Sequence, residues 1–387
     1  MSTLIPDSLA RVEINAEDLA HNFRHLTELA GGATEVAAIV KSDAYGHGLL
    51  LSSRAFHEAG CRVFCVASTE EAVFLREHLG PDIRILKMVP SLPEEYEAVA
   101  TNGIEQALAS EEDRRGWQSW LSERGLKLSV HLKVDRGMGR LGFSYPDFMR
   151  EAEEIAKSPI FNWVGLMSHL PASEESPDPS AVSVDRNDYT TTREVNRFRL
   201  LAKEVESLFG RPLVKHIGNS GALLFHPESR FDLVRCGLAL YGADPRGQAG
   251  TGLGLRPAMA VRSGLVQIRA LDKGATVGYG RDYRVRQPTR VGVAAVGYAD
   301  GFFRRLAEYG CVLVRGQRCG ILGRISMNLI SVDLSDVEGA RMGDTVTLLG
   351  ADGDERISVE ELARWAGTIP YEVFTSLGGL IRRRVAI

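Results

Sequence analysis

The sequence lacks the features that mark several classes of protein. Its five cysteines are scattered and odd in number, which indicates neither a disulfide framework nor a paired metal motif. No apolar run is long enough to span a bilayer, and the first residues lack a signal peptide's basic segment and apolar core. The formal net charge of -4 gives no reason to expect nucleic acid or an anionic membrane as partner. We therefore expect a soluble cytoplasmic protein, and without clustered ligand residues we predict no metal.

What is present is a chain of 387 residues, long enough for two domains. Between residues 36 and 240, short apolar runs alternate with stretches of helical period such as Glu194–Phe209. The runs are Val36–Val40, Val63–Ala67, Ile83–Met88, Gln106–Ala109, Leu128–Val134, Trp163–Ser168, Leu213–Ile217 and Phe231–Val234. Eight strands alternating with helices predict an α/β fold, a parallel (β/α)8 barrel with its active site where the strands end.

The pattern changes near residue 244. Apolar runs now follow one another with glycine turns, which predicts an all-β C-terminal domain. One helix should interrupt it, beginning at Ser358 with Glu361 completing a capping box. We expect a barrel domain over residues 10–243 and a β-domain over residues 244–387, to which residues 1–14 add a strand. The polar segment Pro171–Arg193 predicts a long exposed loop beside the catalytic end of the barrel.

The first apolar run delivers Lys41 into a turn that carries Gly46 and Gly48. A lysine that leaves a strand into a partly dry site can lose its proton and serve as a Schiff-base amine or general base, whereas one that reaches water stays charged. Other chemically capable residues also follow predicted strands, namely Asp135, His169, Asn219, Ser220 and Arg235. In barrels of this type a phosphate site follows strands seven and eight, where Ser220, Gly237 and Leu238 lie.

The segment Val36–Gly48 resembles the cofactor-lysine motif of the alanine racemase family, whose members hold pyridoxal 5′-phosphate (PLP) on that lysine. The resemblance runs from about residue 10 to the end of the chain. The other matching segments are Lys133–Gly142, Gly165–His169, His216–Ser220, Phe231–Gly242, Val277–Gly280, Gly297–Gly301 and Gly323–Asn328. The resemblance implies PLP fold type III. It also implies a head-to-tail homodimer in which each active site is shared between chains.

The resemblance also implies residue roles. Lys41 would bind PLP and move a proton on the D side of the substrate, and Tyr279 of the other subunit would do so on the L side. Cofactor contacts would come from Tyr45, Arg140, His169, Asn219, Ser220, Arg235, Gly237 and Leu238. Substrate contacts would come from Arg140, Tyr298 and Met327, and Lys133 is the lysine that can be carbamylated.

The resemblance gives Arg235 a particular task. It would face the pyridine nitrogen and keep it unprotonated, because two neighbouring cations repel. His169 would link Arg235 to the catalytic tyrosine by hydrogen bonds. The sequence departs from the family at Asn328, where an aspartate is usual, and has no counterpart of the family's C-terminal phosphate-binding tyrosine.

We therefore expect a PLP-dependent alanine racemase that interconverts L- and D-alanine and supplies D-alanine for peptidoglycan. Three alternatives stay open. A racemase of the same family could act on serine, on lysine or on a range of amino acids. A PLP-dependent decarboxylase shares the barrel and β-domain, but Arg235 argues against it because those enzymes place an acidic residue there. A non-catalytic PLP-binding protein would lack the β-domain.

Overall fold

The computed structural model describes residues 9–175, 190–210, 212–381 and 384–386. The chain divides into two compact units. One unit comprises Ala20–Ala44 and Ser52–Leu240, and the other comprises Met1–Leu19, Tyr45–Leu51 and Tyr241–Ile387. The sequence did not indicate that Tyr45–Leu51 groups with the C-terminal part. Most of the predicted loop Pro171–Arg193, namely residues 176–189, lies outside the described residues.

The first unit is a nearly closed barrel of eight parallel strands, which confirms the predicted architecture. The strands are Glu35–Ile39, Val63–Val66, Arg84–Lys87, Glu105–Leu108, Leu128–Lys133, Phe161–Met167, Val214–His216 and Leu233–Cys236. The first seven strands pair in chain order, and the first also pairs with the eighth through Glu35 and Leu233. Between the seventh and eighth strands, the backbone N–H of Asp232 donates to the carbonyl of Lys215 at 3.1 Å.

Helices follow the strands, and their ends carry the expected capping residues. The helices before residue 240 are Ala16–Ala30, Leu49–Glu58, Thr69–Leu79, Tyr96–Thr101, Glu111–Arg124, Tyr145–Lys157, Thr190–Phe209 and Ser220–Phe225. Ser68 and Glu71 form a capping box at the helix Thr69–Leu79, so two backbone N–H groups that lack helical partners are satisfied. The helix predicted at Glu194 begins earlier, at Thr190, within the segment predicted as an exposed loop; there Thr191 is buried and its hydroxyl donates to the carbonyl of Ala172 at 3.0 Å.

The second unit is built on a sheet that is antiparallel apart from one pairing, which confirms the predicted all-β character. The strands of that sheet are Arg11–Ile14, Met259–Leu271, Thr289–Ala294, Cys311–Val314, Gln317–Gly320, Ile330–Asp333, Thr345–Asp352, Glu355–Ile357 and Arg384–Ala386. Thr276–Val277 and Tyr283–Arg284 pair with each other as a separate two-stranded sheet. The N-terminal strand Arg11–Ile14 pairs antiparallel with Met259–Leu271 and in parallel with Arg384–Ala386.

Two α-helices lie in the described C-terminal part of this unit, whereas the sequence predicted one. The helix Val359–Ala366 begins after Ser358 with the predicted capping box. The second helix, Pro370–Leu380, was missed because Gly378 and Gly379 lower its helix propensity. Gly378 is required there, since an added Cβ would lie 2.1 Å from the carbonyl oxygen of Gly46. Among the described residues, no helix is both long and apolar enough to cross a membrane.

Candidate active site

Lys41 follows the first barrel strand and begins a turn of unusual hand. Ser42, Asp43, Ala44 and Tyr45 all have φ between 53° and 56°, in the left-handed region. Such a conformation costs about 1–2 kcal/mol for each residue that is not glycine, and it persists at functional sites where the surroundings hold it. Here the N–H of Ala44 donates to the carbonyl of Val40 at 2.8 Å. The sequence predicted a turn but gave no sign of its hand.

Glu71 supports this turn and the residue that follows the second barrel strand. Its carboxylate accepts from the N–H of Asp43 at 3.3 Å and from that of Ala67 at 3.2 Å. Burial and the charge of Arg140 lower the pKa of Lys41, and the negative charge of Glu71 opposes them without reversing the outcome. The amine of Lys41 is therefore easier to deprotonate than an exposed lysine, as a nucleophile or base requires. Sequence reasoning missed Glu71, whose capping-box spacing from Ser68 was its only signal.

The glycine-rich loop after the fifth strand is ordered by Asp135. Its carboxylate accepts from the N–H groups of Met138 at 3.0 Å and Gly139 at 2.9 Å. Gly142 has φ of 126°, and an added Cβ would lie 2.7 Å from the N of Asp135, so no other residue fits without displacement. The side chain of Arg140, in this loop, is exposed, and its positive charge lowers the pKa of Lys41.

Lys133 is buried at the end of the fifth strand. Burial, followed by the charges of Arg235 and Arg140, lowers its pKa to about 8. Asp135 and Lys41 also act on this amine, in opposite directions. A fraction of Lys133 is therefore neutral near physiological pH, which is the form of an amine that can react with carbon dioxide.

Arg235, on the last barrel strand, is a buried guanidinium that donates to neutral groups, namely backbone carbonyls and a histidine nitrogen. Nη2 donates to the carbonyl of Ser168 at 2.6 Å and approaches Nδ1 of His169 at 3.5 Å. Nη1 donates to Nδ1 of His216 at 2.8 Å. His169 therefore lies beside Arg235, as the resemblance implied. The shorter contact of the guanidinium is with His216, which the sequence analysis named only as part of a motif.

The protonation states of this group follow from burial. Burial lowers the pKa of Arg235 to about 10, which leaves it cationic at neutral pH. Burial, with the charges of Arg235 and Arg140 adding to it, lowers the pKa of His169 to about 3. His169 is therefore a neutral imidazole that can donate from one nitrogen and accept at the other. A hydrogen bond, not an ion pair, is what it can offer a tyrosine.

The predicted phosphate-site residues of the barrel lie together. The hydroxyl oxygen of Ser220 accepts from the N–H of Gly237 at 2.9 Å and from that of Ala239 at 3.3 Å. Leu238 lies between these two amides and begins a short 3₁₀ turn. Asn219 caps the helix Ser220–Phe225 and accepts from the Ser173 hydroxyl at 2.7 Å, so its side chain serves the local fold.

Tyr45 belongs to the second unit and is nearly buried there. Its ring lies 5.0 Å from that of Tyr241 and 5.7 Å from that of Tyr371, measured between centroids. The next residue, Gly46, has φ of 79°, and an added Cβ would lie 2.5 Å from the carbonyl oxygen of Phe374. Aromatic packing and backbone approach therefore fix the position of Tyr45.

Tyr298 and Met327 are brought together at the surface of the second unit. They are 42% and 55% exposed. The N–H of Tyr298 donates to the carbonyl of Ser326 at 3.1 Å. A Cβ on Gly297 would lie 2.2 Å from that same oxygen, so the two loops touch through their backbones. The sequence could not show this contact, because the two motifs are far apart along the chain.

Tyr279 is part of the same surface. Its side chain is 69% exposed, and the preceding Gly278 would place a Cβ 3.0 Å from the N of Arg324. The guanidinium of Arg324 also pairs with Asp282 at 2.5 Å, which ties the Tyr279 turn to the loop that carries Met327. Three predicted site residues thus form one exposed surface, which we call the tyrosine surface: Tyr279, Tyr298 and Met327.

These features define a two-unit protein of the (β/α)8-barrel class, with a lysine of lowered pKa, a buried arginine and neutral histidines at one end of its strands. No three His, Cys, Asp or Glu side chains in the described part of the chain are grouped so that they could hold a metal ion. Comparison with known proteins then identifies the family.

Residues 14–245 match the family model described as alanine racemase, N-terminal domain, and residues 258–385 match alanine racemase, C-terminal domain. The chain is 37% identical to the alanine racemase of Sorangium cellulosum strain So ce56, over 96% of this chain and 98% of that relative. The chain belongs to the alanine racemase family.

Solved structures agree. The alanine racemase of D-cycloserine producing Streptomyces lavendulae aligns with a TM-score of 0.89 and 32% identity, covering 99% of this chain and 98% of that one. That of Bartonella henselae, with covalently bound pyridoxal phosphate, aligns with a TM-score of 0.84 and 31% identity, covering 98% and 99%. The fold expected from the sequence is thereby confirmed over nearly the whole chain.

Proposed function

We propose that this protein is a PLP-dependent alanine racemase that interconverts L- and D-alanine. One observation carries the proposal. The Lys41 amine has a lowered pKa, and it lies close enough to other site residues for their charges to act on one another, namely Arg140, Lys133, His169 and Arg235. Family membership supports alanine as substrate. By the same reasoning we propose that the product D-alanine serves peptidoglycan synthesis. The cytoplasmic location stays a prediction from the sequence.

The residues present fit PLP. Lys41 offers the amine that would hold it, and the buried guanidinium of Arg235 would face its pyridine nitrogen. The amide of Leu238 and the hydroxyl of Ser220, whose oxygen accepts from the N–H of Gly237, offer donors for a phosphate at the end of the last strand. Tyr45, Arg140 and Asn219 are the remaining proposed contacts. When bound, PLP withdraws electrons from the attached amino acid and so acidifies its α-hydrogen.

Racemisation then needs a proton removed from one face of the α-carbon and one returned to the other. We assign the D side to the amine of Lys41 and the L side to the hydroxyl of Tyr279. A tyrosine has a pKa of about 10, so a neighbouring hydrogen-bond partner must help it act near neutral pH. Neutral His169, which contacts Arg235, is the proposed partner.

The exposure of Tyr279 supports a shared active site. A catalytic side chain that is 69% exposed in a single chain would gain a water-poor environment only from a second protein surface. We propose that the tyrosine surface enters the barrel of a partner subunit in a homodimer. Arg140 and the N–H of Met327 would then bind the substrate carboxylate, and Tyr298 would narrow the entrance.

Lys133 would carry a carbamate in the working enzyme. Its neutral amine adds to carbon dioxide, forming an N–C bond and releasing one proton to solvent. The product is an anion, which would replace one cation in the group formed with Arg235, Arg140 and Lys41. A carbamate at this position could therefore pair with Arg140 and orient it.

Mixing two inactive variants tests the shared site. K41A lacks the amine and Y279F lacks the hydroxyl, so each homodimer should have little activity. In a mixed dimer one site combines Lys41 of the Y279F chain with Tyr279 of the K41A chain. Unfolding and refolding an equal mixture with PLP should restore about a quarter of wild-type activity, because half the dimers are mixed and each has one intact site. Failure to recover activity, while refolded wild type recovers fully, would place both residues in one chain.

The substrate is tested with L-alanine, L-serine and L-lysine, assayed separately by the loss of optical rotation. Alanine should react fastest. A pocket built for a methyl group rejects an added hydroxyl only by a factor of about 100, so serine is the critical comparison. Comparable kcat/KM on serine or lysine would change the assignment to a broader racemase. Release of carbon dioxide without inversion would change it to a decarboxylase.

A further inference from the structure

A chain of buried polar side chains leads from Arg235, on the last barrel strand, to Glu105 on the fourth. Nη1 of Arg235 lies 2.8 Å from Nδ1 of His216, and Nε2 of His216 lies 2.9 Å from Nδ1 of His131. Nε2 of His131 then lies 2.7 Å from Oε2 of Glu105. All four side chains are buried. The proposed mechanism uses only the first of them.

The direction of every hydrogen bond in this chain follows from its two ends. A guanidinium has only donors, so Nδ1 of His216 must accept from Arg235. Burial, followed by the charge of Arg235, lowers the pKa of His216 well below its ordinary value, so the ring is neutral and its single proton is on Nε2. That proton points at Nδ1 of His131, which must accept and therefore carries its own proton on Nε2. Glu105 accepts it.

The far end is an ionised carboxylate held by a second arginine. Nε and Nη2 of Arg84 donate to the two oxygens of Glu105 at 2.8 and 3.0 Å. Burial alone would raise the pKa of Glu105, but the hydrogen bonds from His131 and Arg84 lower it to about 2. The acceptor at the end of the chain is therefore charged at every working pH, and charged acceptors form the stronger hydrogen bonds.

The opposite arrangement would conflict with Arg235. If His131 carried its proton on Nδ1, Nε2 of His216 would have to accept, and the proton of His216 would be on Nδ1. That N–H would face an N–H of Arg235, and two buried donors would be left unsatisfied at a cost that a low-polarity interior makes large. Arg235 would have to turn away from His216.

We propose that Glu105 and His131 are positioning residues, which fix His216 with its proton on Nε2 and so hold the guanidinium of Arg235 in place. The inference rests on the proposed function in one respect, namely that Arg235 faces the cofactor. Its structural content, the position of two ring protons, is independent of that function.

The test uses the PLP-loaded enzyme with 15N in its histidine rings. NMR assigns the proton-bearing nitrogen of His131 and His216, with single-histidine substitutions used for assignment. Wild type should carry both protons on Nε2. E105M removes the acceptor at matched length, so a new signal for His216 protonated on Nδ1 should appear and kcat should fall at least tenfold. E105Q retains one neutral oxygen and should lie between wild type and E105M.

The matched control is E95M, which removes a carboxylate that accepts from Lys87 and takes no part in the hydrogen bonds from Arg235 to Glu105. It should leave the His216 spectrum unchanged and kcat within twofold. A wild-type His216 protonated on Nδ1 would overturn the proposal. So would an E105M enzyme with an unchanged His216 spectrum, whether kcat falls or not, because any loss would then not pass through His216. If E105M does not fold, wild type and E105Q decide. If the protein racemises nothing, the spectra still decide.

Discussion

Replacing Lys133 with methionine should stabilise the folded protein when carbon dioxide is absent. Burial, followed by the charges of Arg235 and Arg140, lowers the pKa of this lysine to about 8. The gap between that value and the ordinary lysine pKa of about 10.4 corresponds to about 3 kcal/mol of free energy of unfolding at pH 7. Methionine has nearly the same length and no charge to bury, so K133M should recover most of this amount.

The pH dependence gives the sign of the effect. Because the folded pKa lies below the unfolded one, the unfolded chain binds the proton of Lys133 more tightly. The penalty is therefore complete below pH 8 and is lost as the pH rises through the ordinary lysine value. The advantage of K133M should be about 3 kcal/mol at pH 7 and less than about 1 kcal/mol at pH 10.

The assay is urea unfolding of the cofactor-free protein in buffer freed of carbon dioxide, at one protein concentration, followed by fluorescence at pH 7 and pH 10. K157M is the control, because Lys157 is an exposed lysine paired with Glu153 on a helix surface, where such pairs contribute little. Bicarbonate should stabilise wild type at pH 8 and leave K133M unchanged. The reasoning is refuted if K133M is no more stable than wild type at pH 7, or if its advantage is the same at pH 10.

Two further substitutions test the local geometry. G297A should leave the fold intact and raise KM at least tenfold, because its Cβ would lie 2.2 Å from a backbone oxygen of the facing loop. The control G320A should match wild type in steady-state kinetics, because its Cβ would meet nothing within 4 Å. E71Q should lower the pKa of Lys41 further by removing a negative charge, whereas E70Q, at an exposed neighbour, should not. The Lys41 titration can be followed by 13C NMR of the reductively methylated, cofactor-free protein, and an unshifted titration in E71Q would contradict the role given to that carboxylate.

The sequence predicted the barrel because eight short, mostly apolar runs alternate with stretches of helical period. Those signals are local, and the strand bounds agree with the predicted runs to within a few residues. The left-handed turn after Lys41 had no such signal, since Ser42, Asp43 and Ala44 do not favour that conformation. Packing and the carboxylate of Glu71 override their preferences.

The site was predictable only in part, for a related reason. Lys41, Arg235 and His169 follow strands, and barrel topology brings strand ends together. The contact from Glu105 to His131 spans 26 residues, and that from His131 to His216 spans 85 residues. Each of these residues by itself is an ordinary polar group in a strand. Only the register of neighbouring strands shows that they form one hydrogen-bonded chain.

The most direct test of the two-base mechanism is hydrogen exchange at the α-carbon in heavy water. PLP-loaded wild type, Y279F and the control Y283F are each incubated with L-alanine and with D-alanine. Wild type and Y283F should incorporate deuterium from both enantiomers and invert them. Y279F should still exchange D-alanine through Lys41, but its exchange of L-alanine and its inversion should fall by a factor of about 100 or more. Equal exchange of both enantiomers with inversion in Y279F would contradict the assignment of Tyr279 as the second base.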